Sequence, residues 1–196
     1  LKNVADVSVK ARACQADGII AFGGGSAMDC AKAAAVVLAE GCSPDQLLNG
    51  YRITKALPII AIPTTAGTGS EVTAGAVLSD KEKGIKAAIF SPAIFPTLAV
   101  VDPELTYTVP PRVTAATGLD VLAHSFDAMT SVKASPATDV LALGAAKRAV
   151  NYLERAVENG NDQEARAGMA EASVIAGLAF SQTGTTGSHA CFYLLT

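Results

Sequence analysis

Gly18-Ile19-Ile20-Ala21-Phe22-Gly23-Gly24-Gly25-Ser26-Ala27-Met28-Asp29-Cys30-Ala31-Lys32 is the stretch from which the rest of the chain is read. Ile19 to Phe22 is a short apolar run, the pattern of a buried strand. Three glycines follow, and an Ala-rich segment of good helix propensity begins at Ser26. Strand, glycine turn and helix start together form a geometry that holds a phosphate. Glycine admits a ligand close to the backbone, and the free N–H groups and dipole of a helix N-terminus favour an anion. Ser26 is a candidate N-cap, and Asp29 suits the first helical turn. The stretch departs from the usual dinucleotide fingerprint, because Met28 stands where Gly-x-Gly-x-x-Gly requires its last glycine. A tight strand-to-helix turn that binds nothing is the alternative.

Outward from this stretch, residues 3–16 read as a helix, with Val4, Val7 and Ala11 at helical spacing. The helix after the glycines should end near Glu40 with Gly41 as C-cap. Ser43-Pro44-Asp45 opens a short helix with proline at its first position. Leu57–Ile62 reads as a second buried strand, followed by Pro63-Thr64-Thr65-Ala66-Gly67-Thr68-Gly69-Ser70-Glu71. A hydroxyl-rich loop at the C-terminal end of a strand is where α/β sheets place ligands. The same hydroxyls would otherwise cap their own backbone.

Val72–Ser79 and Ile85–Phe90 alternate around the charged turn Asp80-Lys81-Glu82-Lys83-Gly84, the pattern of a hairpin, and Leu98–Val101 reads as a further strand. Beyond Pro110-Pro111 strand signals cease, and helices are expected over 112–131, 136–153, 162–180 and from 185 onward. The expected division is therefore an α/β domain over 1–109 and an all-helical domain over 110–196. Within the helical part Asp120 and His124 stand four apart, on one helix face. Carboxylate and imidazole at this spacing can share a divalent metal, and His189 is the second of two histidines in the chain. An Asp–His hydrogen bond on a surface helix, with a core histidine elsewhere, is the plainer account.

The chain has 196 residues, 50% hydrophobic and 17% charged, enough to bury a core. A net charge of −3 offers no basic footprint for nucleic acid. Asp29 and Lys32 interrupt the most apolar stretch, so no membrane span is expected. Cys14, Cys30, Cys42 and Cys191 form no Cys-x-x-Cys pair and read as reduced, mostly buried thiols of a cytoplasmic protein. The chain begins with Leu1, and a fragment is expected.

Taken together, five stretches resemble the iron-containing (group III, metal-dependent) alcohol dehydrogenase family: Asp17 to Ser26, Pro63 to Glu71, Val101 to Thr106, Ala116 to Asp120 with His124, and Gly187-Ser188-His189-Ala190. The resemblance runs in order over essentially the whole chain. It implies an α/β nucleotide-binding domain followed by the start of an all-helical domain, with a metal in the cleft between them. It implies that Gly24, Gly25 and Ser26 hold the pyrophosphate of NAD or NADP, that Thr64, Thr65 and Thr68 line the same site, and that Asp29 and Lys86 contact the cofactor. Asp29 could equally serve only its helix, and Lys86 could be a solvated strand charge. Asp120, His124 and His189 match ligands of Fe2+ or Zn2+. The family's first strands are expected before Leu1 and its fourth ligand, a histidine, beyond residue 196, and Tyr193 stands where a further histidine is usual. The implied activity is hydride transfer between the nicotinamide and a small alcohol or aldehyde, with the metal as Lewis acid and no side chain standing out as general base. A homo-oligomer is implied for the full-length form. A lyase of the dehydroquinate synthase type would need a basic cluster, and few Lys or Arg lie near Asp120. An inactive nucleotide-binding fragment is the other alternative.

Overall fold

In a computed structural model, which describes residues 1–80 and 84–186, α1 (Lys2–Ala13) leads into β1 (Ile19–Gly23) and α2 (Gly25–Glu40). A short α3 (Pro44–Leu48) and β2 (Ile59–Pro63) follow, then β3 (Gly75–Asp80), β4 (Ile85–Phe90) and β5 (Leu98–Ala99). Three long helices, α4 (Pro111–Thr130), α5 (Pro136–Glu158) and α6 (Gln163–Thr183), complete the described chain. No described helix is long and apolar enough to cross a membrane. The expected α/β part followed by a helical part is what the structure contains.

Two compact units form. The first comprises Leu1–Ile62 and Thr73–Val100; the second comprises Pro63–Val72 and the described residues from Val101 onward. The change of character near Tyr107–Arg112 thus marks the start of the long helices, while the segment Pro63–Val72 packs with them rather than with the strands around it in sequence.

In the first unit the strands order β1-β2-β5, with β2 and β5 parallel through Ile60–Leu98 and Ala61–Ala99. β3 and β4 pair antiparallel from Gly75–Phe90 to Asp80–Ile85 as a separate hairpin. Helix α2 lies at the centre. Met28, Ala31 and Ala35 pack on Ala21, Ile59 and Ala61 of the sheet, while Ala33, Val36 and Val37 pack on Leu47, Leu78, Ile89 and Ile94. A helix covered on two sides needs small side chains, and the alanine run supplies them.

Lys32, on this helix, has no exposed surface. Its ammonium donates to the carbonyls of Thr73 at 2.9 Å and Gly75 at 2.7 Å. Those acceptors offset the cost of burying the cation. One turn earlier Asp29 Oδ2 accepts the Val77 N–H at 3.0 Å. Two charged side chains of α2 therefore hold the first residues of the hairpin by their main chain.

The second unit packs α4, α5 and α6 against one another around Val121, Ala145, Ala149, Ala165, Met169 and Ala172. Arg166 of α6 is buried, donating to the carbonyls of Gly160 and Val109 and to Thr114 Oγ1 at 2.9–3.2 Å. Burial lowers its pKa, and no sequence signal set it apart from a surface arginine.

The helix ends follow local chemistry. Gly41 closes α2 in the left-handed conformation at φ 74°, its N–H on the Val37 carbonyl. Ser43 and Gln46 form a reciprocal capping box at α3, with Pro44 at its first position. Glu40, in the last turn of α2, accepts from the N–H and hydroxyl of Thr54 and from the Lys55 N–H, all within 2.9 Å. These donors, the Thr54 N–H first, lower its pKa to about 2. A depressed folded-state pKa stabilises the fold above the ordinary glutamate range, and that stability is lost as pH falls toward about 2. In thermal melts across this window, Glu40→Gln should be less stable than the parent near neutral pH. The gap should close toward pH 2; a gap independent of pH would contradict the assignment.

Candidate functional site

The glycine turn puts the start of α2 at Gly25, with Gly24 in extended conformation as the N-cap (φ −79°, ψ −176°). The expected cap at Ser26 is corrected: Ser26 is already the second residue of the helix, exposed, and makes no capping bond. Gly23 has φ +147°, and a Cβ there would come within 2.8 Å of the Ala27 Cβ. The turn is tight enough to need glycine at that position. Ala27 and Met28 return their N–H groups to the Gly24 carbonyl at 3.0 and 3.1 Å. The amides of Gly25 and Ser26 are the ones that helical geometry leaves for an anion. Asp29 lies outside the first turn, which contains no acidic residue, so its expected place there is also corrected; its carboxylate serves Val77 instead. Lys86 is exposed on β4, opposite Ser79.

These residues belong to the first unit, and the threonine loop belongs to the second. Thr64, Thr65 and Thr68 are half-buried. Gly67 donates its N–H to Ser173 Oγ of α6 at 2.8 Å, and Thr68 Oγ1 accepts the Ser70 N–H at 3.4 Å. Gly69, at φ +61°, lies against Gly177 of α6, where an added Cβ would stand 2.8 Å from the Gly177 Cα. Small residues on both sides thus let the loop lie directly on the helix backbone. Thr65 Oγ1 is closed off from solvent and has no hydrogen-bond partner among the described residues. Beside it is a cavity of about 10 Å³ lined by Thr65, Glu71, Asp102, Thr106 and Ser173 among others. That is about room for one water-sized group, and the lining is polar enough to hold one.

Asp120 and His124 do share a face of α4, with Oδ1 and Nε2 3.9 Å apart. His124 is 5% exposed, and its ring stacks on Phe180 of α6 at 4.1 Å between centroids and 21° between planes. The stacking fixes the imidazole plane, while the carboxylate stays about one-third exposed. Two ligands bonded at about 2.0–2.2 Å to one tetrahedral ion stand about 3.3–3.6 Å apart, so a side-chain adjustment of a few tenths of an ångström would let this pair share a divalent cation without rearrangement of the helix. His189 lies outside the described residues. Among the described residues no three His, Cys, Asp or Glu side chains cluster as a metal site.

The cysteines are corrected in part. Cys42 is buried, but Cys30 is half-buried and Cys14 exposed, and all three are free thiols; Cys191 is outside the described residues. Burial raises the pKa of Cys30 and Cys42, which keeps both protonated.

Residues 1–103 match the sequence model of the family described as iron-containing alcohol dehydrogenase, and residues 114–196 match that of the Fe-containing alcohol dehydrogenase family, C-terminal. The chain belongs to the iron-containing alcohol dehydrogenase family. It is 46% identical over 184 residues to 1-propanol dehydrogenase PduQ of Salmonella typhimurium, covering 94% of this chain and 47% of that protein. Long-chain-alcohol dehydrogenase 1 of Geobacillus thermodenitrificans is 49% identical over 183 residues, covering 91% of this chain and 46% of its own length. Among solved structures, sulfoacetaldehyde reductase from Bifidobacterium kashiwanohense in complex with NAD+ superposes with a TM-score of 0.94 at 48% identity, over 98% of this chain and 52% of that one. The chain spans about half the length of the curated relatives it matches.

Family membership agrees with the local geometry. Some residues that build the site were not singled out in the sequence. Ser173 anchors the threonine loop and is one more serine in a helix; Asp127 lies three residues past His124, a spacing that could have marked it as part of the same face. At Gly67, an added Cβ would overlap the Thr117 carbonyl of α4. Gly67→Ala should therefore destabilise the helical unit by about 1–3 kcal/mol in chemical denaturation, because backbone on the far side cannot give way as a side-chain tip could. A neutral effect would mean that the loop does not rest on α4.

Proposed function

We propose that the protein to which this chain belongs is a metal-dependent oxidoreductase that transfers a hydride between a nicotinamide cofactor, NAD or NADP, and a small alcohol or its aldehyde. The observation that carries this reading is the presence, in one chain of this family, of a glycine-capped helix start at Gly24–Ser26 and of the Asp120–His124 donor pair. Residues 1–109 act as the cofactor-binding domain and residues 110–196 as the metal-binding domain. A complex of the related sulfoacetaldehyde reductase with NAD+ supports the choice of cofactor.

In this reading the N–H groups of Gly25 and Ser26 donate to the pyrophosphate, aided by the dipole of the α2 helix. Thr64, Thr65 and Thr68 add hydroxyl contacts, and the buried Thr65 Oγ1 supplies an unused hydrogen-bonding group. Asp29, read as a cofactor contact, shares its carboxylate with Val77, and Lys86 reaches the cofactor from its exposed place on β4. Asp120, His124 and His189 hold Fe2+ or Zn2+, since oxygen and nitrogen donors suit both. A divalent cation there supplies Lewis acidity, which lowers an alcohol's pKa or polarises a carbonyl. The protein acts on a small molecule in the cytoplasm, with neither nucleic acid nor membrane as partner. The full-length form is a homo-oligomer, a reading supported by the exposed Val140, Leu143 and Val150 along α5.

The test is a titration of NADH and NADPH followed by nicotinamide fluorescence. The parent chain should bind at least one of them. Gly25→Val should abolish binding while its melting temperature stays near the parent value, because the side chain occupies the space of the anion. Binding unaffected by the substitution would overturn the cofactor assignment.

A further inference from the structure

The loop from Pro63 to Val72 has few side chains with which to hold itself in place. Gly67 and Gly69 lie against the backbones of α4 and α6, contacts that bring the loop close without giving it a direction. Direction comes from a polar bond. Ser173 of α6 is 2% exposed, and its Oγ accepts the Gly67 N–H at 2.8 Å. Losing that acceptor would leave a buried amide unpaired, which costs more than the net worth of an ordinary hydrogen bond.

Ser173 has a second capacity. A hydroxyl donates as well as accepts, and no described residue takes the Ser173 O–H. Thr65 Oγ1, on the loop itself, is also sealed from solvent and has no partner among the described residues. Both residues line the same cavity of about 10 Å³, as do Glu71 and Asp102. Glu71 is 2% exposed, whereas Asp102 reaches solvent and accepts the Glu104 N–H at Oδ1. Two hydroxyls with bonds to give and two carboxylates that accept, around room for one water, suit a single buried water with about three hydrogen bonds.

We propose that Ser173 is a positioning residue for cofactor binding: it takes the Gly67 amide and, through a water in the cavity it shares with Thr65, fixes the backbone that presents Thr64 and Thr68. The inference rests on the reading of Thr64 and Thr68 as cofactor contacts. Ser173 is buried and acts only through the loop. With the anchor in place the loop is ordered before the nucleotide arrives. Without it the ordering entropy is lost at the moment of binding, and affinity falls.

The experiment titrates the 196-residue chain with NADH and with NADPH by nicotinamide fluorescence, each variant well below its own melting temperature. Ser173→Ala should weaken binding by about 2–30-fold, the range for residues that modulate a site without touching its ligand. Thr65→Val, which keeps the side-chain shape and removes the hydroxyl, should also weaken it. Thr65→Ser, which retains a hydroxyl, should bind more tightly than Thr65→Val. The double variant Ser173→Ala, Thr65→Val should be little worse than Ser173→Ala alone, because both act on one anchor. Losses that add in the double variant would show Thr65 acting on the nucleotide by itself and overturn the shared anchor. Lower melting temperatures with parent-like affinity in both single variants would make the anchor purely structural and overturn the proposal. Should Ser173→Ala fail to fold, Thr65→Val that binds as tightly as Thr65→Ser overturns it equally. Gly25→Val that binds like the parent would instead remove the cofactor reading itself, and the anchor proposal with it.

Discussion

Helix α2 is covered from two directions, and most of the first unit depends on how that is achieved. Ala33, Ala34, Ala35 and Val36 expose nothing, so sheet and hairpin can both approach the helix backbone closely. Close packing on two faces leaves little polar surface available to the strand β3, which does not pair with the β1-β2-β5 sheet. Lys32 and Asp29 meet that need from within the helix, the ammonium on the carbonyls of Thr73 and Gly75 and the carboxylate on the Val77 N–H. Buried polar groups in such a place are favourable only when paired, and here donor and acceptor come from opposite charges one turn apart. The helix whose N-terminus forms the glycine turn is thereby braced along its length.

The helical unit solves a related packing problem with different residues. Its interior is built largely from alanine, with glycines where backbone or a large side chain comes close: Gly168 admits the Tyr152 ring, and Gly177 admits Gly69. Small residues give short interhelical distances but little directional specificity. That specificity comes from polar contacts, the guanidinium of Arg166 between Thr114, Val109 and Gly160, and the carboxylate of Asp127 on Thr186. Each fixes one helix against another segment at a point where apolar packing alone would tolerate sliding.

Much of the fold was legible in the chain because its signals are short-range. The end of α2 at Gly41, the capping box at Ser43, the proline starts of α3 and α5, and the hairpin from Gly75 to Phe90 each depend on a few consecutive residues. The i,i+4 proximity of Asp120 and His124 is likewise a property of any helix. The departures from local expectation have separate causes. Ser26 is a good N-cap by type, but the glycine turn starts the helix two residues earlier. Asp29 suits a first turn by charge, but the Val77 N–H claims its carboxylate. Cys14 is apolar enough for a core, yet the helix it ends leaves it on the surface.

By itself the sequence determined the kinds of element, their order, the glycine turn at the head of α2 and the shared face of Asp120 and His124. Ordered motifs spread over the whole chain also determined the family, since no single motif is specific but their succession is. Tertiary structure decided which unit each segment joins. Pro63–Val72 follows a strand of the first unit yet belongs to the second, because Gly67 and Gly69 fit only against the backbones of α4 and α6. It also decided which charges are buried. Lys32, Asp127 and Arg166 look like surface residues in the sequence, and only the partners brought to them across 41 to 59 positions make their burial favourable. Periodicity and propensity describe what a residue prefers among its neighbours in sequence. They carry no information about a carbonyl or an N–H that arrives from elsewhere in the chain, and a buried charge is decided by that arrival.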